Sequence, residues 1–350
     1  MAEGKYCNIN GAIKQIVGEY CNIGGVIKQG TINAVNIGGA IKQISVGEKQ
    51  IFACEQGSDR LYGINDAYTD LAGWPIYGVT NPRAVACDDK GNSYWASTTN
   101  VYKYNLAGTL QWTYSGHTSN VISICLENRG GATYIYTGDT GGTVKCIFDG
   151  TVIAGLVWTQ QPYASAVYGL AFDGTYSQLY AAYADGHIRR FQTALGIWSN
   201  IFYDGSISFY SIAIGGDILT LYVGDSSGHI RKISTTGHTY WDVSRSGEIV
   251  GLVIGFDGDG YYVNGSGGDV GKFITSDGGT YWIDTPSGTS QAVAVDEFGN
   301  VYSTHGAYGS ENAVIRKNSN DGVERWTWQP YINSLWQGIA VSPGLKAAGY

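Results

Sequence analysis

Two hydrophobic rhythms run along this chain. From about residue 51 onward, apolar runs of roughly five to seven residues alternate with clusters of Gly, Asp, Asn and Ser, the spacing of short strands joined by tight turns. Tryptophan marks the longer period: Trp74, Trp112, Trp158, Trp198, Trp241, Trp282 and Trp326 follow one another at 38, 46, 40, 43, 41 and 44 residues. That interval holds four short strands, the length of one β-propeller blade. The first strand of each unit is small and apolar ("RAVACD", "VISICLE", "VYGLAFD", "FYSIAIG", "IVGLVIG", "SQAVAVD"), as a crowded innermost strand requires. The second carries an aromatic ("TLYVGD", "GYYVNG"), the third a basic residue ("GHIRRFQ", "GHIRKIS"), and Trp closes the fourth.

Six units are complete, and the chain ends supply a seventh. Residues 51–78 hold a second, third and fourth strand with no first, whereas 335–343 hold a first strand with nothing after it. The pattern therefore predicts a seven-bladed propeller over 49–350. Its ring closes when Leu335, Trp336, Ile339 and Val341 join the blade built from 51–78, which removes two open sheet edges.

The opening 48 residues keep a different beat. "NINGAIKQI", "NIGGVIKQG" and "NIGGAIKQI" begin at Asn8, Asn22 and Asn36, 14 residues apart. Each contains Asn-Gly or Gly-Gly, which permit positive φ and signal type I′ hairpins. Residues 1–48 are thus expected to form a second domain, a six-stranded meander with Ile9 opposite Ala12, Asn8 opposite Ile13 and Cys7 opposite Lys14. Neither face of such a hairpin is cleanly apolar, and three short hairpins make a poor core. Ile9, Ile13, Ile27, Ile37 and Ile41 therefore need partners: the propeller, further copies of the segment, or another protein. A propeller is self-contained, which favours the last two and makes 1–48 an attachment or oligomerisation segment.

Composition agrees with an all-β chain: Gly 52, Tyr 27 and Trp 10 are high, Met 1 and Pro 6 low, and only 14% of residues are charged. A net charge of −8 argues against nucleic acid as a partner. The polar start "MAEGKYCNIN" does not read as a signal peptide, and no apolar run reaches the ~18 residues of a membrane span. A soluble protein without a membrane partner is expected. The six cysteines form no CxxC pair and occupy slots that elsewhere hold Val or Ile, so they read as buried free thiols rather than metal ligands.

Candidate chemistry is sparse. Of the five histidines, His187 and His229 repeat at one structural slot in "GHIR", which marks turn or strand-edge residues. No P-loop, GxSxG or HExxH context exists. The acidic turns "DDKGN", "DGDG" and "DEFGN" sit where hairpins need turns and lack the Glu of a calcium loop. Third-strand cations (Lys103, Lys145, Arg189, Arg231, Arg316, and Lys272 one residue off) are expected to pair with carboxylates of neighbouring blades. Trp95 and Trp328 fall outside the tryptophan slot. With Tyr308 and Tyr331 they are the candidate stacking platforms for sugar rings. No cofactor, metal or catalytic residue is implied.

Two resemblances add to this reading. "ITSDGGTYW" (274–282) resembles the Asp-box of sialidase-type propellers, with Thr275, Asp277, Gly279 and Trp282 matching and Tyr281 in place of the usual Thr; "STTGHTYW" and "SNDGVERW" resemble reduced copies. In that family the box is a structural turn away from the active centre. The opening phrase resembles short repeats near the ends of tail-fibre and minor structural proteins of phages that infect Gram-positive bacteria, with Ile13, Ile27 and Ile41 replacing the usual Trp. That resemblance implies a non-enzymatic virion protein (tail fibre, baseplate or capsid decoration), assembled in the host cytoplasm and present in several copies. It would dock to other virion proteins through 1–48 and display the propeller toward a host cell-wall glycan. The alternatives are a sialidase-like carbohydrate-active enzyme and a bacterial cell-surface scaffold.

Overall fold

The computed structural model describes 49–150, 153–217, 219–286, 288–306, 313–329 and 336–342 with side chains, and the backbone of six short strands within 5–42. The described residues contain no helix, so none long and apolar enough to cross a membrane. The body is seven four-stranded antiparallel sheets arranged as a β-propeller. Blade 2 begins at the innermost strand Pro82–Cys87, and blades 3 to 7 at Val121–Arg129, Val167–Asp173, Phe209–Ile214, Ile249–Ile254 and Ser290–Val295. Blade 1 is the composite one: Trp336–Val341 is its innermost strand and pairs antiparallel with Gln50–Glu55, placing Trp336 opposite Glu55 and Val341 opposite Ile51. The ring closes as expected, although Leu335 lies outside the described residues.

Burial explains why the four strands of a blade read differently in the sequence. Second strands are covered on both faces by the adjoining blades: Ser93–Ser97, Thr220–Asp225 and Gly260–Asn264 are buried throughout. Fourth strands lie at the rim, and Thr239–Ser244 alternates between half-buried and exposed. Blades approach closely where the second strand carries glycine. A Cβ on Gly138 would lie 2.6 Å from Val167, and one on Gly224 would lie 2.4 Å from Ile249.

Polar latches tie neighbouring blades. In blade 2, Tyr94, Lys103 and Trp112 all donate to Asp149 in blade 3, at 2.8, 2.6 and 2.9 Å. Tyr222, Lys232 and Trp241 of blade 5 converge in the same way on the Thr275 carbonyl, at 3.2, 3.1 and 3.3 Å. Tyr261, Lys272 and Trp282 of blade 6 converge on Asn320, and Tyr302 and Lys317 of blade 7 on Asp66 of blade 1.

The expectation for the third-strand cations holds for Lys103, which pairs with Asp149 of the next blade, and in part for Arg316; for the rest it is corrected, Lys272 included, whose carboxylates Asp257 and Asp259 belong to its own blade. Two slots exist, one residue apart and hence on opposite faces of the strand. Lys103, Lys232, Lys272 and Lys317 reach the next blade. Arg189 and Arg231 instead bind carboxylates mainly of their own blades, Asp185 for the first and Asp225 and Asp242 for the second. Lys145 donates to Thr159 of its own blade, while Arg316 meets Glu324 of its own blade and Asp284 of blade 6.

In the opening segment, Lys5–Ile9, Ala12–Val17, Tyr20–Ile23 and Val26–Gln29 form one four-stranded sheet, and Val35–Ile37 with Ala40–Lys42 a separate hairpin. The first hairpin pairs Ile9 with Ala12, Asn8 with Ile13 and Cys7 with Lys14. The expected single six-stranded meander is thus a four-plus-two arrangement. The candidates Ile9, Ile13, Ile27, Ile37 and Ile41 all lie in these strands; their side chains are outside the described residues.

Candidate functional site

One irregularity recurs in all seven blades. The pairing of the innermost with the second strand skips one residue near the start of the innermost strand. The bulged residues are Arg83, Ile122, Tyr168, Tyr210, Val250, Gln291 and Gln337. A bulge unpairs one residue and re-aims its side chain. Each of the seven is half-buried or exposed, whereas the residue before it (Pro82, Val121, Val167, Phe209, Ile249, Ser290 or Trp336) is buried. Because the innermost strands pack against one another round the axis, the seven equivalent positions encircle one mouth of the central channel.

The ring has two sides. Blades 7, 1 and 2 contribute Gln291, Gln337 and Arg83, an arc of hydrogen-bonding groups ending in a guanidinium. Blades 4 and 5 contribute Tyr168 and Tyr210, whose rings meet edge to face at 5.0 Å. Ile122 and Val250 separate the arcs. Burial, with Tyr168 and Glu248 beside it, raises the Tyr210 hydroxyl above the ordinary tyrosine range, so it stays a hydrogen-bond donor at neutral pH. Arg83 Nε is buried and has no partner among the described residues. A guanidinium presents a planar fork of donors matched to carboxylate or phosphate, and an unmatched buried donor costs about 1–3 kcal/mol. The arrangement can hold an anion on one side and pack an apolar or ring face on the other.

Of the four expected platforms, the two among the described residues, Trp95 and Trp328, go elsewhere. Trp95 is fully buried, its indole N–H donating to Ser93 Oγ at 2.8 Å, so it is core and not a platform. Trp328 meets Tyr62 edge to face at 5.2 Å as part of the packing between blades 7 and 1. Tyr308 and Tyr331 are outside the described residues. Trp336, Ile339 and Val341 lie in the closing strand. No bulge was legible in the sequence; the nearest signal was an Arg or Tyr second in an otherwise small, apolar innermost strand.

Other titratable groups are structural. His117 donates or accepts between Asp139 (2.9 Å) and Thr137 (2.9 Å), a hydroxyl–imidazole–carboxylate chain, but all three are buried. The other oxygen of Asp139 receives the Gly141 and Thr143 amides. Burial pushes the Asp139 carboxyl up, but these bonds outweigh it and hold the group below its ordinary range. Asp88 and Asp296 likewise accept the amides of their own turns. Among the described residues no cluster of His, Cys, Asp and Glu has the makings of a metal site. Cys54, Cys87, Cys125 and Cys146 are free, and burial raises each thiol, to about 12 at Cys54 and Cys146.

No family model matches the chain, and no curated protein does. Among solved structures, the WD40 β-propeller domain of Doa1 is similar over 82% of this chain and 91% of its own, with a TM-score of 0.62 and 17% identity. Raptor from Chaetomium thermophilum is similar over 72% of this chain, with a TM-score of 0.64 and 10% identity, and this chain spans only 25% of its length. At such identities the likeness is one of fold.

Proposed function

We propose that this protein is a non-enzymatic phage virion component, placed at the tail fibre or baseplate, whose propeller is a binding head for an anionic host cell-wall glycan. The two-sided ring at the channel mouth carries this reading. Arg83 takes a phosphate or carboxylate, Gln291 and Gln337 bond neighbouring hydroxyls, and Tyr168 with Tyr210 packs against the sugar face. The repeated hairpins support attachment to the particle through residues 1–48. Many copies per particle turn a weak single contact into firm adhesion.

Purified wall polymer from a Gram-positive host tests the reading. Arg83→Ala should weaken binding at least ~10-fold, the loss of one charge-assisted contact. The double variant Tyr168→Ala/Tyr210→Ala should weaken it further while the fold stays intact by circular dichroism. Unchanged binding by both variants removes the mouth from the reading. Release of sugar from the polymer, abolished by Arg83→Ala, replaces binding head with enzyme.

A further inference from the structure

A second concavity lies away from the axis. It opens at the border of blades 6 and 7, with a volume of about 630 Å³, inside the ~300–1,000 Å³ range of small-molecule sites. Tyr281 and Trp282 come from the fourth strand of blade 6. Asn300 comes from the first turn of blade 7, and Asn320, Asp321 and Arg325 from its last turn and last strand. Two of the three Asp-box-like stretches, 274–282 and 319–326, thus contribute to one groove.

The groove is built from groups already fixed in place. Lys272 at its floor is held by Asp257 at 2.9 Å and Asp259 at 3.0 Å, and it lies 5.0 Å from the Tyr281 ring centroid. Trp282 donates its indole N–H to the Asn320 carbonyl at 2.9 Å. Gly322 packs on the indole so closely that a Cβ there would sit 2.8 Å from the ring. Asn320 Oδ1 receives Tyr261 and Lys272, which orients its amide and leaves Nδ2 to donate. Asn300 donates to Asp296 at 2.8 Å, which leaves its carbonyl oxygen to accept.

The chemistry that remains is specific in kind. One exposed aromatic ring, Tyr281 at 56% accessibility, stands beside donors (Asn320 Nδ2, Arg325) and acceptors (Asn300 Oδ1, Asp321). Lys272 is more than offset by its two aspartates. Arg325 is countered by Asp321, whose carboxyl the Ser319 hydroxyl, and to a smaller extent the Arg325 charge, hold below the ordinary range. A near-neutral groove does not select an anion. A polyhydroxylated ring offers a donor and an acceptor at every hydroxyl and an apolar face for an aromatic.

We propose that the groove between blades 6 and 7 binds one neutral pyranose, stacked on Tyr281 and hydrogen-bonded by Asn300, Asn320, Asp321 and Arg325. The proposal rests on the propeller being a glycan-binding head, but not on the channel mouth, so the two sites fail separately. Nitrogen-15-labelled full-length protein is titrated with methyl β-D-glucopyranoside, methyl β-D-galactopyranoside and methyl N-acetyl-β-D-glucosaminide, following the Trp282 indole and Asn320 amide signals. At least one sugar should shift both signals with a Kd on the order of 1 mM. Tyr281→Ala and Arg325→Ala should each weaken that binding at least ~10-fold, and Arg83→Ala should leave it unchanged. Tyr281→Phe, which keeps the ring, should retain most of it. Absence of shifts with all three sugars at roughly 100 mM overturns the proposal. So do shifts that Tyr281→Ala leaves intact.

Discussion

Trp336 offers the sharpest test of ring closure. Its side chain is fully buried with Ile51, Tyr62, Tyr302 and Ile315, between blades 1 and 7, with Tyr62 at 5.2 Å and Trp328 at 6.2 Å. A buried Trp covers about 150–250 Å², which at ~25 cal/mol per Å² corresponds to roughly 4–6 kcal/mol. Trp→Ala substitutions in cores cost about 3–5 kcal/mol. The indole N–H of Trp336 has no partner among the described residues, so its removal recovers part of a desolvation cost. The expected loss for Trp336→Ala is therefore near the lower end, about 3 kcal/mol of a total of about 5–15. Trp95→Ala is the matched control: equally buried, but in blade 2 and with its N–H bonded to Ser93. It should cost slightly more, about 4 kcal/mol. Urea unfolding followed by circular dichroism measures both. Trp336 is also the first residue of the closing strand, so its loss should free the 50–55 edge and produce concentration-dependent association by light scattering. Trp95→Ala should not associate. A cost below about 1 kcal/mol for Trp336→Ala, or equal association by both variants, refutes the role assigned to the strand.

The remaining predictions concern the latches, acid stability and the opening repeat. Asp149→Asn leaves the nearly buried Lys103 uncompensated and should cost about 3 kcal/mol by urea unfolding; adding Lys103→Met should recover part of it. His305 is fully buried between Ser290 and Ser303, and burial, with Arg316 nearby, lowers it to about 3. The unfolded chain then binds a proton that the folded one does not between about pH 6.5 and 3, so stability is full above 6.5 and falls by up to ~1.4 kcal/mol per unit as pH drops through that window. His305→Asn, which copies Asn264 from the same slot of blade 6, should flatten the slope; an unchanged slope means that other groups set it. Removing residues 1–48 should leave a cooperatively unfolding propeller that no longer binds purified particles, and collapse of the remainder would place the repeat in the propeller core.

Much of the fold was legible because its information is periodic or local. Seven tryptophans at near-constant spacing, and a first strand missing at one end and surplus at the other, both lie in the order of residues. The register of the first hairpin follows from a two-residue turn, since strand pairing next to a tight loop leaves no freedom. The site was not legible. Trp95 stands outside the tryptophan period, yet it is packed in the core, because whether an aromatic is core or platform depends on the blade that covers it. The cation slots were merged because a one-residue offset looks trivial in sequence but reverses the face of a strand. By itself the sequence determined the number of blades, the closing strand and the turns, all of them set by near neighbours and repetition. Tertiary structure alone decided that seven bulges place Arg83, Tyr168, Tyr210 and the glutamines at one channel mouth, and that the fourth strand of blade 6 meets two turns and the last strand of blade 7 in one groove. Both are products of chain segments brought together only when the ring closes.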